Sequence, residues 1–230
     1  MARNRTQVLR ELKETYLIPL FSSASEEEAV KTVSAVLKGG CPTIELTHRT
    51  ERSLEVFQTV RKTFPVGNLL LGAGSVTDEA TASLYIHAGA EFIVSPAFLP
   101  EVLAMCNRRN LLHIPGCATP TEMLAAYAAG AVAVKIFPAQ TLGGPAFLKA
   151  VRAPCPWIEA IPAGGVEPTA ESIRSWMEAG AVAVGMGSNL LKQDLIASKR
   201  WDAVMKAVTS VIGIIRAQRS EMDRDHTPVI

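Results

Sequence analysis

The chain has 230 residues, 48% of them hydrophobic and 20% charged, and 23 Lys and Arg against 22 Asp and Glu leave a net charge of +1. That supplies one sizeable core and no basic surface for nucleic acid, so an anionic ligand has to be met locally. No run is long and apolar enough to span a bilayer, residues 1–16 lack the apolar centre of a signal peptide, and the four cysteines show neither a CxxC pair nor metal-ligand spacing; the expectation is a soluble, cytoplasmic protein with reduced, mostly buried thiols.

Residues 4–15 read as a short amphipathic helix ahead of a first strand, YLIPLF (16–21). Ser25 with Glu28 three positions on predicts a capping box, and Ala29, Val33, Val36 and Leu37 mark the buried face of a helix that ends at Gly39-Gly40. In the second strand, PTIELT, the period of two puts Thr43, Glu45 and Thr47 on one face and Ile44 and Leu46 on the other, with Arg49 just beyond. If the apolar side packs on helices, the polar side faces inward.

Thr50 is the expected cap of a helix buried through Leu54, Phe57 and Val60, and NLLLGAGS forms a third strand whose glycines are expected to let backbone approach a ligand. Thr77 opens the next helix, EFIVS is strand four, Pro100 stands in the first turn of another helix, and LLHIPG is strand five. Thr119, Pro120 and Glu122 supply a cap, a proline at the first helical position and a capping-box acid. The sixth strand holds AVAVKIFPA (131–139), the seventh IEAIPAGG and the eighth VAVGMGS, the last preceded by a helix through Ile173 and Met177. The tripeptide AGA at 88–90, 129–131 and 179–181 ends a helix before an apolar strand each time. Eight strands alternating with helices predict a single (β/α)8 TIM barrel over residues 1–230, closed by a helix from 201 to about 215 and followed by a polar, mobile tail at 219–230.

Active sites in such barrels lie at the C-terminal ends of the strands. Reading those ends collects Glu45, Thr47 and Arg49, then Gly74, Ser75 and Pro96, then Lys135 and Phe137, and finally 163–165 and 185–188. Lys135 lies on the strand face shared by Ala133 and Phe137, opposite Val132, Val134 and Ile136. An ammonium buried there is costly, and losing the proton leaves a nucleophilic amine suited to Schiff-base chemistry; the competing reading is an amine that snorkels to water or pairs with a carboxylate. Glu45 beside such an amine can shuttle protons, and Arg49 can clamp a carboxylate. The glycine turns AGGV and GMGS, with the Ser188 hydroxyl, offer donors for a phosphate or simply let the chain turn tightly.

Seven motifs in order, IELTHRT, GAGSV, VSP, IPGCAT, VKIFPA, PAGGV and GMGS, resemble the KDPG/KHG aldolases, from about residue 17 to the end of the barrel. The resemblance implies a class I aldolase that needs no metal or cofactor, is usually trimeric, and cleaves 2-keto-3-deoxy-6-phosphogluconate or 4-hydroxy-2-oxoglutarate to pyruvate and glyceraldehyde 3-phosphate or glyoxylate. It implies Lys135 as the Schiff-base lysine, Glu45 as the acid/base residue, and Arg49, Thr47, Ser75, Pro96 and Phe137 as substrate contacts. It further implies Gly164, Gly165, Gly187 and Ser188 as phosphate contacts. Three departures touch the substrate: Ala163 where the phosphogluconate enzymes tend to have threonine, Ser75 for a common threonine, and no basic residue near the end of strand one. They leave 2-keto-3-deoxy-6-phosphogalactonate open as a substrate. A phosphate-binding isomerase or synthase without imine chemistry, and a non-catalytic sugar-phosphate binder, are the alternatives. His48, on the outward phase of its strand, is expected to serve packing.

Overall fold

The computed structural model describes residues 3–225. Asn4 caps α1 (Arg5–Thr15): its side chain accepts from the Gln7 amide, and Gln7 accepts from the Asn4 amide. Tyr16 ends that helix in the left-handed region at φ 63°, so β1 (Leu17–Phe21) begins one residue later than expected. The rest follows as α2 (Glu26–Lys38), β2 (Thr43–Thr47), α3 (Ser53–Thr63), β3 (Leu70–Gly74), α4 (Glu79–His87), β4 (Phe92–Val94) and α5 (Pro100–Arg108). Then come β5 (Leu112–Ile114), β6 (Gly116–Cys117), α6 (Pro120–Ala128), β7 (Val134–Ile136), α7 (Gly144–Arg152), β8 (Ala160–Pro162), α8 (Ala170–Glu178), β9 (Val184–Met186), α9 (Gln193–Ala197) and α10 (Trp201–Asp225).

All strand pairs are parallel, and the sheet curls with its helices on the outer face. One six-stranded sheet runs β5-β4-β3-β2-β1-β9 and one three-stranded sheet runs β6-β7-β8. The expected fifth strand is split at Pro115, which has no N–H to give a ladder, while its carbonyl takes the Lys135 amide at 2.8 Å. Between β8 and β9 the link is made by bridges Ala160 to Ala181 and Ala163 to Gly185.

Two apolar cores follow from the period of two along the strands. Ile44, Leu46, Val134 and Ile136 face outward onto the helices, whereas Ile18, Leu70, Phe92, Val94, Leu112, Ile114, Ala133, Ile161 and Ala183 fill the concave side. Val132, ahead of its strand, departs from the expected alternation and packs partly on the inner cluster. Val8 and Leu12 of α1 join that inner cluster, so the helix stops the end of the cup at which the strands begin. Glu91, buried between Arg3 (2.6 Å) and Arg61 (2.8 Å), holds the entry to α1 against β3 and β4. In each AGA the central glycine is left-handed, with φ 94° at Gly89 and Gly130 and 86° at Gly180, which turns the chain from helix to strand.

Several local expectations change. Ser25 does accept from the Glu28 amide, but the Glu28 carboxylate takes the Ser23 hydroxyl instead of closing a box. Thr50 does not cap α3; Ser53, the first helical residue, accepts from the amides of Arg49 and Thr50 and so shapes the loop that carries Arg49. Asp78, not Thr77, caps α4, because its carboxylate can take both the amide and the hydroxyl of Thr81. The Thr119, Pro120 and Glu122 signature is observed in full. α7 and α9 have no counterpart in the expected elements, and residues 219–225 of the expected tail are helical, continuing α10. Arg219 anchors that turn by donating to the carbonyls of Lys13 and Glu14 and lying over the Tyr16 ring. Residues 226–230 of the expected tail lie outside the described residues. The cysteines are free, with Cys41, Cys106 and Cys117 buried and Cys155 half-buried.

Candidate active site

At the C-terminal ends of the strands the cup opens into a cavity of about 350 Å³. It brings together nine of the residues singled out by the sequence: Glu45, Thr47, Arg49, Lys135, Phe137, Gly164, Gly165, Gly187 and Ser188. Two others stand outside the lining. Ser75 acts through a neighbour, accepting from Arg49 Nε at 3.3 Å from a left-handed backbone at φ 57°. Pro96 stands at the rim, where its carbonyl presses on Gly116 so closely that a Cβ there would lie 2.2 Å from the oxygen.

Lys135 is the middle residue of β7, paired with Gly116 on one side and Ile161 on the other, and only 7% exposed. Its Nζ lies 4.8 Å from the centroid of the Phe137 ring, and among the described residues no side-chain hydrogen bond or ion pair holds it. Glu45 projects inward from β2 and is 2% exposed, with Oε1 lacking any hydrogen-bond partner. Burial pushes its carboxyl above the ordinary carboxylate range, and the charges of Lys135 and Arg49 pull it back only in part. Beneath the pair, Ile18, Val94, Ile114, Ile161 and Ala163 form an apolar floor. Thr47 is buried and donates to the Phe21 carbonyl at 3.3 Å, so its hydroxyl is already engaged. Arg49 is exposed at the mouth, its Nε–H given to Ser75. The arrangement therefore sets an amine and a carboxyl in a buried base, with a guanidinium above them.

The far side of the cavity is built from the turns after β8 and β9. Gly164 and Gly165 are consecutively left-handed, at φ 89° and 91°, and a Cβ on Gly165 would sit 2.4 Å from Gln140 Cβ. Two such residues in succession aim backbone N–H groups to one side. Asn189 binds the two turns together, donating to the Val166 carbonyl (3.1 Å) and the Glu167 carboxylate (3.0 Å). Ser22, Asn189, Leu191 and Gln193 also line the cavity and were not singled out by the sequence. Ser22 directly follows β1 and Asn189 follows Ser188, so both satisfied the strand-end rule; Gln193 rides on a five-residue helix too short to leave a periodic signal.

His48 faces outward, its Nδ1 2.9 Å from the Tyr85 hydroxyl and its ring edge-on to that of Tyr85. The glycines of β3 make room for protein and not for a ligand: a Cβ on Gly72 would lie 2.1 Å from the Phe92 ring, and one on Gly74 would strike Glu45. Among the described residues no group of three or more His, Cys, Asp and Glu side chains could hold a metal ion. No helix among them is long and apolar enough to cross a membrane.

With a lysine, a carboxyl and a guanidinium on one cavity at the strand ends of a parallel α/β cup, the class is that of aldolases. The chain belongs to the KDPG and KHG aldolase family, whose model matches residues 8–207. A 2-dehydro-3-deoxy-phosphogluconate aldolase of Haemophilus influenzae is 27% identical over 216 residues, covering 94% of this chain and all of that one. A probable 2-dehydro-3-deoxy-6-phosphogalactonate aldolase of Rhizobium meliloti is 33% identical over 201 residues, covering 86% and 93%. The crystal structure of KDPG aldolase from Legionella pneumophila, with pyruvate captured as a covalent carbinolamine, has a TM-score of 0.83 and 26% identity, covering 89% of this chain and 98% of that one.

Proposed function

We propose that the protein is a class I aldolase that cleaves a 2-keto-3-deoxy sugar acid, 2-keto-3-deoxy-6-phosphogluconate or 4-hydroxy-2-oxoglutarate, to pyruvate and an aldehyde. The observation that carries the reading is the burial of Lys135 and Glu45 against one cavity with Arg49 at its mouth. Lys135 Nζ attacks the C2 ketone, and loss of water from the carbinolamine gives an iminium. The C3–C4 electron pair flows into that cation as the C4 hydroxyl gives up its proton, which releases the aldehyde and leaves an enamine. Protonation at C3 and hydrolysis of the iminium free pyruvate and restore the lysine. Glu45 carries the protons, a role served by a carboxyl that burial raises above its ordinary value.

In this reading Arg49, held by Ser75, takes the substrate carboxylate, with Thr47, Phe137 and the rim at Pro96 shaping the pocket for the keto acid. The N–H groups of Gly164, Gly165 and Gly187 and the Ser188 hydroxyl hold the phosphate of a phosphorylated substrate. Ala163 and the likeness to the Rhizobium protein support 2-keto-3-deoxy-6-phosphogalactonate as the second reading. The chain is read as one domain forming a complete (β/α)8 barrel: β5 and β6 are one run of chain and the bridges between β8 and β9 support closure on the other side. A homotrimer remains the assembly that the resemblance implies, and a cytoplasmic location the reading of the sequence.

The test is borohydride reduction with and without pyruvate, followed by peptide mass spectrometry. A pyruvate-dependent adduct on Lys135 is expected. A folded protein that gives no adduct in excess pyruvate overturns the imine mechanism and favours an isomerase or a binding protein.

A further inference from the structure

Gly74 ends β3 opposite Thr47, the residue two beyond Glu45 on β2. It is not among the left-handed glycines, so backbone freedom does not explain it; space does. A Cβ at this position would lie 1.7 Å from Glu45 Oε1, 2.4 Å from Cδ and 2.7 Å from Cγ, and every one of these nearest atoms belongs to that one side chain. The strands cannot part to make room, because β2 and β3 are paired along five residues and the His48 amide extends the ladder to the Gly74 carbonyl at 2.8 Å. We propose that Gly74 is a positioning residue for Glu45: the bare Cα is the seat of one carboxylate oxygen, and this seat turns the other toward the cavity and Lys135. The inference rests on Glu45 being the proton carrier.

The seat explains a feature the mechanism leaves unused. Oε1 is buried with no donor to satisfy it, which is costly unless the group is held there for a purpose. A methyl at position 74 would drive the carboxyl into the cavity, closer to water and away from its place beside the lysine.

The experiment measures kcat, KM, the pH–rate profile and melting for Gly74→Ala, Glu45→Ala, Glu45→Asp, Glu45→Gln and the doubles Gly74→Ala/Glu45→Asp and Gly74→Ala/Glu45→Ala. For Gly74→Ala we expect kcat to fall about a hundredfold with a much smaller change in KM. The acidic limb of the profile should move to lower pH, since a displaced carboxyl is less buried, and a merely structural glycine would leave that limb in place. Aspartate, one methylene shorter, leaves room for the methyl, so Gly74→Ala/Glu45→Asp should be more active than Gly74→Ala alone. A folded Gly74→Ala with the parent kcat and an unmoved limb overturns the inference while leaving the aldolase reading intact, provided Glu45→Gln loses turnover about a hundredfold. Full turnover by Glu45→Gln overturns the proton-carrier reading and the inference together. If Gly74→Ala fails to fold, the melting of Gly74→Ala/Glu45→Ala decides: stability equal to Glu45→Ala supports the seat, and failure to fold overturns it.

Discussion

His113 provides a measurable link between acidity and the frame that carries the site. Leu112 and Ile114 of β5 point into the cup, so His113 between them points outward beneath the helices, 2% exposed. Its Nε2 lies 2.9 Å from the Ser95 hydroxyl, and Nδ1 has no partner. Burial lowers the imidazole from 6.5 to about 4, so the folded chain holds it neutral where the unfolded chain protonates it. The unfolded state then binds more protons between these two values. Stability is full above about pH 6.5 and is lost as the pH falls toward 4. At about 1.4 kcal/mol per pH unit, the loss from this group comes to about 3 kcal/mol, a large share of a domain's usual stability. Urea unfolding at pH 8, 6, 5 and 4.5 on the parent and His113→Leu measures it. The variant loses a hydrogen bond worth about 1 kcal/mol at every pH, so the slope, and not the offset, carries the information. Parallel slopes for the two proteins would refute the reasoning.

Two further outcomes follow from the site. Because burial is the larger influence on the Glu45 carboxyl and raises it, ionising this group in place opposes folding; its contribution to stability is complete at low pH and declines as pH rises through the folded value. Glu45→Gln should therefore melt higher relative to the parent as pH increases from 5 to 8 while losing turnover about a hundredfold, and a parent that gains on the variant over that range would contradict it. Ser188→Ala should raise KM for a phosphorylated keto acid about tenfold more than for its unphosphorylated analogue, whereas equal effects on both would remove the phosphate from that turn.

What could be read in advance was what depends on near neighbours in sequence. Alternation alone turned Lys135 and Glu45 inward, and the strand-end rule then gathered seven further lining residues around them. Caps were less legible: at α4 the Asp78 carboxylate takes the Thr81 amide in place of Thr77, and at α3 the Thr50 amide and hydroxyl are engaged with Ser53, so that helix starts with no side-chain cap. The glycines of β3 could not be assigned at all from sequence, because what fills the space they leave, Phe92 and Glu45, comes from neighbouring strands. The end of α10 failed for the same reason at longer range. Residues 219–225 look like a solvated tail until the chain closes and brings Arg219 to the carbonyls of Lys13 and Glu14, some two hundred positions away.

The stopper formed by Val8 and Leu12 leaves one way in and out. With the base of the cup packed solid, whatever binds at Lys135 enters and leaves through the same mouth beside Arg49. In the proposed mechanism a three-carbon fragment stays tethered to Lys135 while the aldehyde cut from it is free, so the aldehyde departs first and the keto acid last. Run backwards, the keto acid must load before the aldehyde can. Product inhibition patterns should show that strict order, which the covalent tether imposes; what the packed floor adds is that both fragments pass through one mouth.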